Sequence, residues 1–205
     1  ADAASNPRRG RLDRSLQQRA RYRFDVQIIR GHQDRPGSVT MMRPKRIEPG
    51  PDEVSVWDFP RPPALEPVSK PLRVVLGGVT VAETTAGYRV CETSHAPAYY
   101  FPPADVSADH LRPAAGASFC EWKGVASYFD VVVGDRIAER GAWTYSEPTV
   151  AFSPLADHLA FYAGSMDACF VGDDEVTPMD GDFYGGWITP ELVGPFKGAP
   201  GTRHW

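Results

Sequence analysis

Cysteine is scarce in this 205-residue chain. Cys91, Cys120 and Cys169 are odd in number and widely spaced, which excludes a disulfide framework. No Cys-x-x-Cys pair occurs, so the common structural zinc patterns are missing, and Cys91, His95, His110 and Cys120 fit no familiar ligand spacing. The expectation is three reduced thiols in a cytoplasmic protein with no metal and no cofactor. No window approaches the ~18 consecutive apolar residues of a membrane span. No charged start followed by an apolar run reads as a secretory signal. A glycine-rich phosphate loop, a Walker-type lysine and a Gly-x-Ser-x-Gly elbow are absent too. Long runs with a 3.6-residue apolar period are scarce, which argues against a helical bundle.

Proline and glycine are plentiful instead, at 20 and 19 residues. That composition favours short strands, turns and ordered coil. The 42% hydrophobic content suits one ordinary core. Charge is unevenly spread beneath a net −4: residues 1–46 hold 12 Lys/Arg against 4 Asp/Glu, and residues 47–205 hold 10 against 22. An acidic main domain makes a poor partner for a phosphate backbone, so no nucleic acid is expected.

Three regions follow. Residues 1–41 read as a basic leader or extension, dispensable for folding of the domain. Within it Tyr22, Phe24, Val26 and Ile28 alternate with polar residues, and such a strand would pair with a sheet edge, for instance in a homo-oligomer. Residues 42–71 are Pro-rich, with eight prolines between positions 44 and 71, and should run extended over the core. Residues 72–205 form one β-rich domain with a coil tail. Gly77-Gly78 between β-branched runs marks a tight hairpin. YRVCET (88–93), FCEWKG (119–124), ASYFDVVV (126–133) and RIAERGAWTY (136–145) read as strands. Phe129, Val131 and Val133 should share the core face, which turns Tyr128 to the opposite side. SPLADHLAFYAG (153–164) is the helix candidate, with Ser153 as N-cap and Pro154 at the first position, giving one short helix before LAFY becomes extended.

The chemistry gathers in residues 89–130. Glu92 and His95 would serve as an acid/base pair, and Cys120 as a nucleophile activated by His95. Lys123 would hold an anionic group, and Trp122, Tyr99, Tyr128 and Trp143 would wall or stack a planar ligand. Aromatic bodies beside a carboxylate, an imidazole, a thiol and an ammonium suit a small, partly dry pocket.

ETSHAPAYYFPPADV (92–106), CEWKGVASYFDV (120–131), AWTYSEP (142–148) and LAFYAGSMDA (159–168) resemble the bacterial and fungal family called domain of unknown function 427. The resemblance runs from about residue 43 to 205. It implies a mainly β fold of compact antiparallel sheets of the Mss4-like (tent-like) type. The family also carries a nucleotidyltransferase label; that chemistry wants two or three clustered carboxylates holding magnesium. Two functional readings are open: a domain that binds a small polar or anionic metabolite, nucleotides included, between the 92–100 and 120–128 segments, and an interaction or structural module in which the same motifs are corners.

Overall fold

β-Branched and aromatic residues alternating with polar ones, punctuated by glycine and proline, produce a chain of short strands. The computed structural model describes residues 44–181, 183–202 and Trp205. The expectations for 1–41, including a strand over 22–28, lie outside the described residues.

In chain order the strands are β1 (Val54–Ser55), β2 (Ala64–Pro67), β3 (Leu72–Leu76), β4 (Val79–Thr84), β5 (Tyr88–Cys91), β6 (Ala98–Tyr100) and β7 (Leu111–Cys120). They continue with β8 (Gly124–Val133), β9 (Arg136–Thr144), β10 (Leu159–Phe161), β11 (Ala168–Val171) and β12 (Asp174–Glu175). The tail adds β13 (Thr177–Pro178), β14 (Trp187–Ile188) and β15 (Leu192–Val193). The fold is mainly β, in several antiparallel sheets, with one parallel pair, β1 with β15.

Two four-stranded sheets, ordered β12-β11-β3-β4 and β10-β9-β8-β7, accompany a three-stranded sheet ordered β2-β5-β6. Phe101 and Leu159 exchange backbone hydrogen bonds of 2.7 and 2.9 Å, which couples the three-stranded sheet to β10. The expected hairpin joins β3 to β4, with Gly77 and Gly78 at φ 58° and 73°, backbone that glycine alone adopts freely.

Alternation then sorts the side chains into two layers. Tyr99, Phe101, Val131, Ala142, Leu159 and Phe161 enter the main core with Leu72, Val74 and Trp187. Their neighbours Tyr100, Tyr128, Trp143 and Ala160 face the other way, in a second cluster. Tyr128, Trp143 and Ala160 lie in one cross-strand row. Phe129 and Val133 pack on the core side, as the alternation predicts.

Two expectations need correcting. FCEWKG is not a strand: β7 ends at Cys120, β8 begins at Gly124, and residues 121–123 form the hairpin tip between them. Gly124, at φ 98°, turns the chain. The helix at 153–164 is a 3₁₀ helix over Val150–Leu155, kinked at Phe152, and the LAFY run is extended as β10. Pairing of Leu159, Ala160 and Phe161 with β9 buries all three completely or nearly so, more than a lone short helix would. Among the described residues the helical turns are all 3₁₀.

Candidate functional site

A cleft of about 380 Å³ opens over the second cluster. The β5, β6, β7, β8 and β9 strands contribute to it, with Arg61 from the Pro-rich segment and residues 183–186 and Lys197 from the tail. Of the eight residues singled out above, Glu92, His95, Cys120, Trp122, Lys123, Tyr128 and Trp143 line this one cleft.

Tyr99 does not. It is buried in the main core and stacks on Trp187 at 5.2 Å, while Tyr100 takes the cleft face. The strand period of two sends adjacent tyrosines to opposite sides, and only the packed sheet decides which goes where.

Glu92 to His95 form a turn closed by His95 N–H donating to the Glu92 carbonyl at 3.0 Å, with Ser94 at φ 69°. Sequence-distant segments hold it there. Ser94 N–H donates to the Val56 carbonyl, the Thr93 hydroxyl to the Phe59 carbonyl, and Lys197 N–H to the Ser94 carbonyl. The Pro-rich segment and the tail therefore clamp the turn from both sides. Opposite it, Thr149 ties down the hairpin tip: its hydroxyl donates to the Trp122 carbonyl at 2.6 Å and its N–H to the Lys123 carbonyl at 3.2 Å.

The electrostatics separate the charged groups. Arg61, from the Pro-rich segment, donates to Glu121 at 2.9 Å and sits 3.7 Å from Glu92. One guanidinium thus answers both cleft carboxylates. Lys197 Nζ donates to the Trp205 carbonyl at 3.0 Å. Lys123 has no carboxylate at ion-pair distance among the described residues; its ammonium lies 5.7 Å from the Tyr145 ring and 5.9 Å from the Phe152 ring. Burial opposes its charge, yet Tyr100, Cys120 and Glu92 around it carry its pKa above the usual lysine range. His95 goes the other way: burial first, then Lys197, Lys123 and Arg61, push it down to about 3. It is a neutral imidazole at pH 7, edge-on to Tyr184 at 4.5 Å.

Polar groups without partners concentrate here. Three buried side-chain polar atoms lack hydrogen-bond partners among the described residues, and two of them, Tyr100 Oη and Trp122 Nε1, belong to cleft residues. A buried orphan costs about 1–3 kcal/mol, which a ligand that bonds it recovers. By contrast Tyr128 is satisfied, with its hydroxyl 2.7 Å from Ser118 Oγ. Tyr100→Phe should therefore raise the stability of the ligand-free domain by about 1 kcal/mol in urea denaturation; a loss of stability would show that the hydroxyl is structurally bonded.

Arg61, Tyr100, Tyr162, Tyr184 and Lys197 were not foreseen as site residues. Tyr100 lies in the expected segment, one residue from Tyr99, but on the opposite face; nothing local marks the other four, which arrive from other segments through the tertiary fold. No three His, Cys, Asp or Glu side chains converge to hold a metal among the described residues. The two cleft carboxylates, shared by Arg61, do not fit the magnesium-binding set of nucleotidyl transfer.

A family model described as Domain of unknown function (DUF427) matches residues 64–172, and the chain belongs to that family. No curated protein matches the chain. The matched span carries both the Glu92–His95 turn and the 121–123 hairpin tip, while Arg61, Phe183–Gly186 and Lys197 come from outside it.

Proposed function

We propose that this domain binds a small polar or anionic metabolite in the cleft between the Glu92–His95 turn and the 121–123 tip. The observation that carries the reading is the pair of orphaned donors on cleft residues, Tyr100 Oη and Trp122 Nε1, beside a Lys123 that has no carboxylate partner among the described residues. A buried polar site left unsatisfied by its own chain is costly to keep for structure alone. The volume falls within the ~300–1,000 Å³ of small-molecule sites, and the aromatic walls with few polar groups match their usual lining.

Catalysis would draw on Glu92, His95 and Cys120, which share the cleft. With a pKa near 3 the imidazole is a weak base at neutral pH, so it suits hydrogen bonding better than proton abstraction. The reading is therefore a binding site first. The sheets are read as the tent-like Mss4 type, and the three free thiols suit the reducing cytoplasm. Among the described residues no helix is long and apolar enough to cross a membrane.

A second reading, a protein-interaction module, draws on Phe119 and Val125, cross-strand partners on β7 and β8 that are 74% and 52% exposed. A thermal-shift screen of a metabolite library against the wild type and Lys123→Met separates the two, since a ligand of the folded state must stabilise it. Hits that lose about tenfold or more in affinity in a folded Lys123→Met variant support the cleft. No hit, together with Lys123→Met unfolding the protein, would favour the module.

A further inference from the structure

Resting on the cleft as a ligand site, we infer that its ligand is a flat ring bearing a single negative charge, in the manner of an aryl carboxylate, and not a nucleoside triphosphate. The charge balance of the walls sets the charge of a guest. Among the described residues Arg61, Lys123 and Lys197 face Glu92 and Glu121, and His95 between them is uncharged, so the described lining carries an excess of one positive charge. The individual contacts place that excess. Arg61 is already shared by the two carboxylates, and the Lys197 ammonium, still charged, is directed at a backbone carbonyl and lies 5.2 Å from the Tyr184 ring. Lys123 is the cleft cation with neither a carboxylate nor a carbonyl partner among the described residues, and an excess of one ammonium in a partly dry site balances one anion.

A triphosphate brings several negative charges, and proteins meet them with a magnesium ion, a glycine-rich loop of backbone amides, or several basic side chains. The described residues hold no metal-binding cluster, the chain has no such loop, and Glu92 and Glu121 would repel the additional phosphates. A carboxylate asks for less. Lys123 supplies the charge, and two residues of the same cleft, Trp122 and Tyr100, carry a buried indole N–H and hydroxyl without a hydrogen-bond partner among the described residues.

The walls also favour a planar guest. Trp143 lies against Tyr162 with ring centroids 4.6 Å apart, and Tyr100 meets Trp143 edge-on at 6.3 Å. Gly185 is packed so closely on the Trp143 ring that a Cβ there would collide with it, so this wall has no room to yield. Rigid aromatic surfaces of this kind favour a flat guest that stacks or meets their edges.

The test compares acids with their neutral isosteres in the full-length protein. Benzoate and indole-3-carboxylate are titrated against benzamide and indole-3-carboxamide, and ATP is added with and without magnesium, using thermal shift and tryptophan fluorescence. The expected result is binding of the acids about tenfold or more tighter than the amides, no binding of ATP, and loss of the acid preference in Lys123→Met. Equal binding of acids and amides, or binding of magnesium-ATP in place of the acids, overturns the single-anion assignment while leaving the cleft a ligand site. If every probe is silent but the metabolite library yields a cleft ligand of another kind, this inference alone falls. Silence of both overturns the binding-site reading with it. The acid–amide comparison needs only the wild type, so it stands even if Lys123→Met fails to fold.

Discussion

Trp187→Ala should destabilise the domain by about 3–5 kcal/mol, the range for truncating a buried large aromatic. Trp187 is completely buried, stacks on Tyr99 at 5.2 Å and lies 6.0 Å from Phe101. Its indole N–H donates to the Phe161 carbonyl at 2.9 Å, so truncation also orphans an acceptor in β10. Its own N–H donates to the Pro97 carbonyl, which fastens the tail to the chain just before β6. Gly185 and Gly186 of the cleft wall immediately precede it, and a Cβ at Gly186 would meet the Ala96 carbonyl oxygen at 2.5 Å. The same substitution should therefore loosen the cleft. Trp187→Phe, which keeps most of the stacked surface, should cost markedly less. Urea denaturation of the three proteins is the check; a cost below about 1 kcal/mol for Trp187→Ala would mean that the tail contributes little to the fold.

The second large effect is acid sensitivity through His95. Its pKa is about 3 in the folded domain and near the ordinary 6.5 when unfolded. Between those values the unfolded chain takes up a proton that the folded site refuses, so stability rises with pH and falls as the solution is acidified below about 6.5. The full slope is about 1.4 kcal/mol per pH unit. The cleft is open to water and His95 is only half-buried, so the expected loss is about 2–3 kcal/mol between pH 6.5 and pH 4. The loss should stop growing near pH 3, where the folded imidazole also protonates. His95→Gln removes the titrating group and should flatten this part of the curve. Denaturation midpoints for both proteins across that range test it; superimposable slopes would show that His95 is not held neutral.

The two effects lie on different links of the chain from sequence to function. Trp187 acts through burial, and its loss would be felt whether or not a ligand exists. His95 acts through the cleft, where partial burial, and then three nearby cations, keep the imidazole uncharged. An anion bound beside Lys123 offsets one of those cations, so ligand binding should weaken the acid sensitivity that His95 imposes.

The features legible in the sequence were local ones. Gly77-Gly78 and the alternation of 128–133 specify their hairpin and their faces because φ freedom and a period of two are properties of neighbouring residues. The gathering of chemistry in 89–130 was legible for the same reason: the Glu92–His95 turn and the 121–123 tip each lie within a few residues, and both reach the cleft. Tertiary structure decided the rest. Whether Tyr99 or Tyr100 faces the cleft depends on which side of β6 the main core covers, and that core includes Trp187, far along the chain. FCEWKG has the composition of a strand, but the pairing of Cys120 with Gly124 makes its middle a turn. Arg61 and Lys197 set the charge of the cleft, yet they are separated from Lys123 by more than 60 residues on either side. Electrostatic balance depends on distance in space, and no pattern along the chain encodes which carboxylates Arg61 will meet.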